Sequence, residues 1–280
     1  MTMDASSGPV VHGRVEPGFD PVRDAFRRNL TEHGEVGAAV AVHHAGRPVV
    51  DLWAGVRDLD SGAPWESDTL AIVFSATKGV TSMVLAHAHS RGLFEYDRPV
   101  ALYWPGFARA GKERITVREL LSHRAGLPYL DAELTPALLA EPDYRSVELP
   151  HGNGFATARS LAALYGEFAQ GSPTLGVGEE SLRALEERPD PPTRGEHDVN
   201  LKIPTRYSLG LWKPHPAWRF GSDDRAYGTP CAGGSFGFAD PATGTGYGYV
   251  PNRMGLRIRD DPRDAALRRA LADCLKASTP

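Results

Sequence analysis

Ser75 and Lys78 stand three positions apart in Ser75-Ala76-Thr77-Lys78, a hydroxyl and an amine placed for nucleophilic chemistry that needs no histidine. In a helix opening near Ser75, positions i and i+3 share a face, so Oγ and Nζ meet in one cleft. A serine at a helix N-terminus lies beside unpaired backbone N–H groups and the positive end of the helix dipole, and both favour an alkoxide or oxyanion. The lysine acts as base once it is neutral, and burial lowers a lysine pKa towards working pH. A four-residue pattern also arises by chance, as a capping serine followed by a solvated lysine. The surroundings argue for chemistry: the strand-like run Thr69 to Phe74 leads into the serine, and Val80, Met83, Val84, His87 and Ala88 recur at helical spacing from Gly79 to Arg91. A lysine one turn inside such a helix is costly unless it is used or paired.

Competing sites are weaker. Gly233-Gly234-Ser235-Phe236-Gly237 fits the G-x-S-x-G pattern of a nucleophile elbow, but that device needs a following helix and a later histidine, and no histidine follows His215. Ser235 therefore reads as a small residue on a glycine-rich strand edge. Cys231 reads as a small buried thiol. His87 and His89, two apart on a helix, cannot face one metal, and no zinc-type Cys/His spacing occurs, so no metal or other cofactor is expected. His123 fits a helix-ending role better than a site role. Trp104, Trp212, Trp218 and Tyr227 could wall an apolar ligand, with core packing as their ordinary use.

The elements that must position the pair can be read from period and punctuation. Phe19 to Glu32 is an amphipathic helix through Val22, Phe26 and Leu30. Gly37 to His43 and Val49 to Trp53 are strands joined by the hairpin His44-Ala45-Gly46-Arg47. Thr116-Val117-Arg118-Glu119 is a capping box opening a short helix that Gly126 ends. Ala158 to Phe168 is a helix with Leu161, Leu164, Tyr165 and Phe168 on one side. Tyr207 to Trp212, Ser235 to Ala239 and Gly246 to Val250 read as strands, with Asp240 to Gly244 as a turn. The prolines of Arg188 to Lys202 make it a surface loop near the cleft rim. Pro262 to Lys276 is a closing helix with Leu267, Leu271, Cys274 and Leu275 inward. Together these predict an antiparallel sheet with the terminal helices packed on one face.

With 280 residues, 41% hydrophobic and 24% charged, the chain can bury one sizeable core, so residues 1–280 are read as one domain. A net charge of −4 offers no basic footprint for nucleic acid. Met1 to Gly18 is polar and proline-bearing without a charged segment followed by an apolar one, which predicts no export signal, no membrane span and a cytoplasmic location. Cys231 and Cys274 are then expected to be reduced.

Several ordered blocks resemble the serine β-lactamase and penicillin-binding-protein superfamily, and within it the class C-like esterases called family VIII carboxylesterases. They are Gly37 to Val42, Phe74 to Lys78, Leu120-Leu121-Ser122-His123-Arg124-Ala125-Gly126-Leu127, Asn153-Gly154-Phe155-Ala156-Thr157-Ala158-Arg159, and Gly228 to Arg253 with Ala232-Gly233-Gly234-Ser235-Phe236-Gly237-Phe238-Ala239-Asp240-Pro241. Two departures stand out. Relatives carry a large helical segment with a Tyr-x-Asn motif between the third and fourth blocks, whereas here only Pro128 to Gly152 intervenes, with Tyr129 and Tyr144 outside that motif. Where the family has Lys, His or Trp followed two residues later by glycine, this chain has Thr229-Pro230-Cys231.

The resemblance implies an α/β (α+β) fold of the β-lactamase/DD-peptidase type, an antiparallel sheet flanked by N- and C-terminal helices, with a helical region reduced over about residues 79–205. It implies Ser75 as nucleophile, Lys78 as base, and the N–H groups of Ser75 and Ala232 as oxyanion donors. It implies substrate contacts from His151, Asn153, Thr229, Cys231, Gly233 and Tyr129. The activity expected is a serine hydrolase or acyl transfer on an ester, lactone or related acyl group of a small, even bulky, molecule, with β-lactams disfavoured by the two departures. The alternatives are a repurposed non-hydrolytic biosynthetic catalyst and an inactive binding module. A homo-oligomer could complete the shortened cleft wall.

Overall fold

Glycines alternate with aromatic residues in Phe236-Gly237-Phe238 and again in Gly246-Tyr247-Gly248-Tyr249, and this period of two decides how the layers stack. The computed structural model describes residues 8–127, 149–193, 195–255 and 257–277. Its main sheet has eight strands: β1 (Val11–Val15), β2 (Gly37–His44), β3 (Arg47–Gly55), β6 (Tyr207–Ser208), β7 (Leu211–Trp212), β8 (Tyr227–Pro230), β9 (Phe236–Asp240) and β10 (Thr245–Pro251). They lie in the order β1-β3-β2-β10-β9-β8-β7-β6, every pair antiparallel. A separate pair joins β4 (Ala71–Ile72) to β5 (Phe155–Ala156). The helices are α1 (Asp20–Glu32), α2 (Ala76–Ser90), α3 (Val100–Tyr103), α4 (Val117–Leu121), α5 (Ala158–Ala169), α6 (Glu179–Glu186) and α7 (Pro262–Ala277).

The aromatic face of β9 and β10 meets the terminal helices. Phe236, Phe238, Tyr247 and Tyr249 are buried with Val22 and Phe26 of α1 and Leu267 and Leu271 of α7. On the other face the glycines leave no side chain, and α5 comes down onto bare backbone. A Cβ on Gly246 would lie 2.0 Å from the Gly166 nitrogen, one on Gly248 2.4 Å from the Ala158 oxygen, and one on Gly237 2.3 Å from the Tyr165 ring. Tyr165 then reaches past the sheet to α2, where a Cβ on Gly79 would stand 2.1 Å from its hydroxyl. The helix that carries Ser75 and Lys78 is thus seated through two glycine contacts. Behind it, buried Lys213 donates to the carbonyls of Leu185, Glu186 and Arg225 at 2.8, 2.9 and 3.0 Å, tying the end of α6 to the sheet.

The expected sheet with terminal helices on one face is present. So are both capping-box oxygens at Thr116 and Glu119, and the β2–β3 hairpin turns through Ala45 and Gly46, both at positive φ as a two-residue turn requires. Other details differ. The strand expected over Thr69 to Phe74 is two residues long. The helix expected to run to Gly126 ends at Leu121, because His123 already adopts φ 57°. Tyr207 to Trp212 is two short strands, since Leu209 at φ 50° and Gly210 at φ 83° reverse the chain. Ser235 precedes β9, which lies between β8 and β10, so it is not on a sheet edge. Trp212 and Trp218 sit in the core with α1 and α7, and Tyr227 is buried with α2 and α5, so these rings form no ligand wall. Strand β1 and helix α6 went unread. Cys231 and Cys274 are both buried and unlinked. Among the described residues no helix is long and apolar enough to cross a membrane.

Replacing Gly246 with alanine sets a methyl against helix backbone that cannot swing away. The expected loss is about 3 kcal/mol of unfolding free energy, read as a lower urea midpoint; an unchanged midpoint would contradict the packing.

Candidate active site

Ser75 sits at a sharp change of direction between β4 and α2. Val73 N–H donates to the Gly154 carbonyl at 2.9 Å, fixing the incoming chain to the turn before β5. Phe74 then takes φ 44°, a left-handed conformation that is costly for a bulky residue, and Ser75 at φ −60°, ψ −17° starts the helix. Thr77 holds that strained residue. Its N–H and its Oγ1 both donate to the Phe74 carbonyl, at 2.9 and 2.6 Å, while Oγ1 accepts the Gly154 N–H at 3.0 Å. Gly154 has to be glycine here, because a Cβ would lie 2.7 Å from Thr77 Oγ1. The Ser75 hydroxyl takes no part in capping the helix, which leaves it for Lys78.

The i, i+3 spacing brings the pair together as expected: Lys78 Nζ donates to Ser75 Oγ at 3.0 Å and to the His151 carbonyl at 2.8 Å. Burial pulls the Lys78 pKa below its usual range, against an opposing influence from the Cys231 thiol. Among the described residues Lys78 forms no ion pair with a carboxylate. A neutral amine has two N–H groups and one lone pair. The His151 carbonyl fixes one N–H, and the lone pair is then free to accept the Ser75 proton.

Facing the pair is the turn from Cys231 to Ser235. Cys231 N–H donates to the Ser235 carbonyl at 3.1 Å and Gly234 N–H to the Cys231 carbonyl at 3.2 Å. Gly233, at φ 132°, abuts Phe74, whose ring a methyl there would approach to 3.5 Å. The turn therefore lies at the same edge as Ser75, with Ala232 exposed. Neither the Ser75 nor the Ala232 N–H has a backbone acceptor among the described residues. Cys231 is buried, and burial pushes its thiol up to about 11. Thr229 turns away from the cleft. It is buried beneath α2, where its hydroxyl and that of Tyr165 converge on Gly79.

His151 is exposed and Asn153 half-buried beside the pair. Asn153 Oδ1 accepts the Leu149 N–H at 3.2 Å, which is turn-forming work. Burial, and then the nearby Lys78 charge, lower the pKa values of both His151 and His123. His123 thus belongs to the neighbourhood of Lys78, where the sequence favoured a helix-ending role over lining the cleft. Its ring stands edge-on to Tyr207, with centroids 4.4 Å apart. The Tyr207 hydroxyl donates to the Gly210 carbonyl at 3.0 Å, across the Leu209-Gly210 reversal that seats Gly210 against Ser82 of α2. His89 is a packing residue, with Nδ1 2.7 Å from Ser181 Oγ and Nε2 3.4 Å from Glu95. Tyr129 and Tyr144 lie outside the described residues.

The β-lactamase family model matches residues 22–142 and 131–272, nearly the whole chain. The chain belongs to the β-lactamase family. Esterase/β-lactamase LipL of Mycobacterium tuberculosis (strain ATCC 25618 / H37Rv) is 27% identical over 89% of this chain and 84% of its own length. That alignment runs over 372 residues against 280 here, so it includes stretches of the relative with no counterpart in this chain. Esterase EstB of Burkholderia gladioli is 31% identical over 37% of this chain and 28% of its own. Among solved structures, a family VIII carboxylesterase superposes with a TM-score of 0.85 at 26% identity, covering 95% of this chain and 100% of that one. A penicillin-binding-protein homologue from Caulobacter crescentus gives 0.83 at 25% identity over the same shares.

Thr77→Val keeps the shape of the side chain while stripping Gly154 N–H of its acceptor and removing one of the two donors on the Phe74 carbonyl. A loss of about 1–3 kcal/mol of stability is expected, with slower turnover; chemical denaturation and steady-state kinetics on one preparation read both.

Proposed function

We propose that this β-lactamase-family chain is an esterase-like serine hydrolase in which Ser75 and Lys78 cleave a carboxylic ester, lactone or related acyl bond. The observation that carries the proposal is the 3.0 Å contact between Lys78 Nζ and Ser75 Oγ at a helix start, with no carboxylate paired to the amine among the described residues. Names of relatives support the reading, since EstB is called an esterase and LipL an esterase/β-lactamase.

The steps balance with the groups at hand. Lys78 Nζ accepts the Ser75 proton as Oγ bonds to the substrate carbonyl carbon. The carbonyl oxygen becomes an oxyanion, received by the Ser75 and Ala232 N–H groups. Collapse breaks the bond to the leaving oxygen, which takes the proton from the Lys78 ammonium. Water then gives a proton to Lys78 and its oxygen to the acyl carbon, and Ser75 recovers its proton as the acid departs. His151 and Asn153 are assigned to the substrate side of this cleft, with Cys231 and Gly233 forming its opposite wall. The chain is assigned a helical region reduced relative to its longer relatives, consistent with the gapped LipL alignment.

Ser75→Ala and Lys78→Met should each lower turnover of small activated esters by about a thousandfold or more, and Ser75→Ala should abolish the mass adduct left by a fluorophosphonate. Persistence of wild-type turnover in Ser75→Ala would sink the assignment. The pH profile has a fixed sign. The active form carries neutral Lys78, so kcat/KM climbs with pH; because burial lowers that pKa, the climb is centred below the roughly 10.4 of a free lysine. A rate that falls as pH rises from neutral would contradict the base assignment.

A further inference from the structure

All five N–H groups of Arg263, on the first turn of α7, have acceptors, and one of those acceptors is the Gly233 carbonyl in the turn that faces the candidate site. Nε and Nη2 donate to the two carboxylate oxygens of Asp261 at 2.9 and 2.8 Å. Nη1 donates to Glu35 at 3.0 Å and to the Arg253 carbonyl at 2.9 Å. The remaining Nη2 N–H reaches the Gly233 carbonyl at 3.4 Å. The guanidinium, Glu35 and Asp261 are all buried, and Tyr249 donates its hydroxyl to Glu35.

We propose that Arg263 is a positioning residue for the oxyanion site: through the Gly233 carbonyl it fixes the turn that aims the Ala232 N–H towards Ser75. The proposal rests on the reading of Ala232 as an oxyanion donor. Gly233 is held from two sides, since its carbonyl also accepts the Gly255 N–H at 3.0 Å. Two donors on one carbonyl set the plane of the peptide that follows, in a stretch where Gly233 and Gly234 take φ 132° and 106°, conformations closed to other residues and otherwise soft in glycine. The ion cluster also dictates sequence. A Cβ on Gly234 would come within 2.9 Å of Arg263 Nη2, and one on Gly255 within 2.3 Å of Asp261. A buried cluster serving stability alone would need no contact with the turn, since apolar groups of similar volume stabilise as well. Lysine cannot substitute, because one ammonium has three donors on a point charge and cannot span five acceptors in a plane.

Arg268 supplies the comparison. It lies on the same helix, pairs with buried Asp264 at 2.7 Å and donates to the Arg219 carbonyl, with no contact to the turn. Arg263→Lys, Arg268→Lys and the milder Asp261→Asn are compared with the wild-type protein by calorimetric Tm, by kcat and KM on an activated acetyl ester, and by the rate of Ser75 phosphonylation. The expectation for Arg263→Lys is a kcat and a phosphonylation rate lower by about tenfold or more with KM within about twofold. Asp261→Asn should show a smaller fall of the same kind, and it carries the test if Arg263→Lys does not fold. Arg268→Lys should lose Tm while keeping kcat. Wild-type rates in both folded turn variants, or an equal kcat loss in Arg268→Lys, would overturn the inference and leave the Ser75 reading standing. A wild-type protein that neither phosphonylates at Ser75 nor turns over esters would overturn that reading and this inference with it.

Discussion

An amine can take a proton from a hydroxyl near neutral pH only where its own charge is unwelcome, and the role proposed for Lys78 depends on that constraint. Burial disfavours the ammonium, and no carboxylate among the described residues offsets the penalty. The polar contacts that Lys78 does have are neutral: the Ser75 hydroxyl and the His151 carbonyl. A carbonyl orients the amine without fixing its charge as a carboxylate would. Ser75 gains from the other end of the same geometry, because the start of α2 offers N–H groups to negative oxygen.

Holding that arrangement is a matter of close backbone approach. Gly237, Gly246 and Gly248 let α5 lie directly on the sheet, Tyr165 projects from α5, and Gly79 lets α2 settle on its hydroxyl. Bulk at any of these positions would lift α2 relative to the turn at Cys231 to Ser235, which is anchored independently through β8, β9 and the Arg263 cluster. The two halves of the site therefore come from different packing surfaces, brought into register by the thickness of one helix layer. Phe74, in its left-handed conformation, is where they touch.

What the sequence made legible follows from what each signal encodes. Helices α1, α2, α5 and α7 show a helical stripe, and β2, β3, β9 and β10 are long or punctuated enough to be read. The short hairpin at Tyr207 was misread as one strand because Leu209, an ordinary strand residue, adopts positive φ under tertiary contact. Strand β1 was hidden because its central residues are exposed and polar, so hydrophobic patterning had nothing to mark. At the site, Ser75 and Lys78 were visible through local spacing. Arg263 was not, since its five acceptors come from four separate stretches of chain. The glycines at 237, 246 and 248 were in plain view, but their purpose depends on which face α5 covers.

The altered third motif bears on the same constraint. With Thr229 turned beneath α2, Cys231 is the residue of that strand end whose charge state Lys78 would feel. A thiolate there would stabilise the ammonium and take the base out of action. Burial opposes this by pushing the thiol up to about 11, which keeps Cys231 neutral near pH 7. His123 and His151, their pKa values lowered first by burial and then by Lys78 itself, are biased towards the uncharged form in the same way. On acidification each histidine that gains a proton adds repulsion to the Lys78 ammonium, so protonation of the imidazoles and protonation of the amine oppose one another.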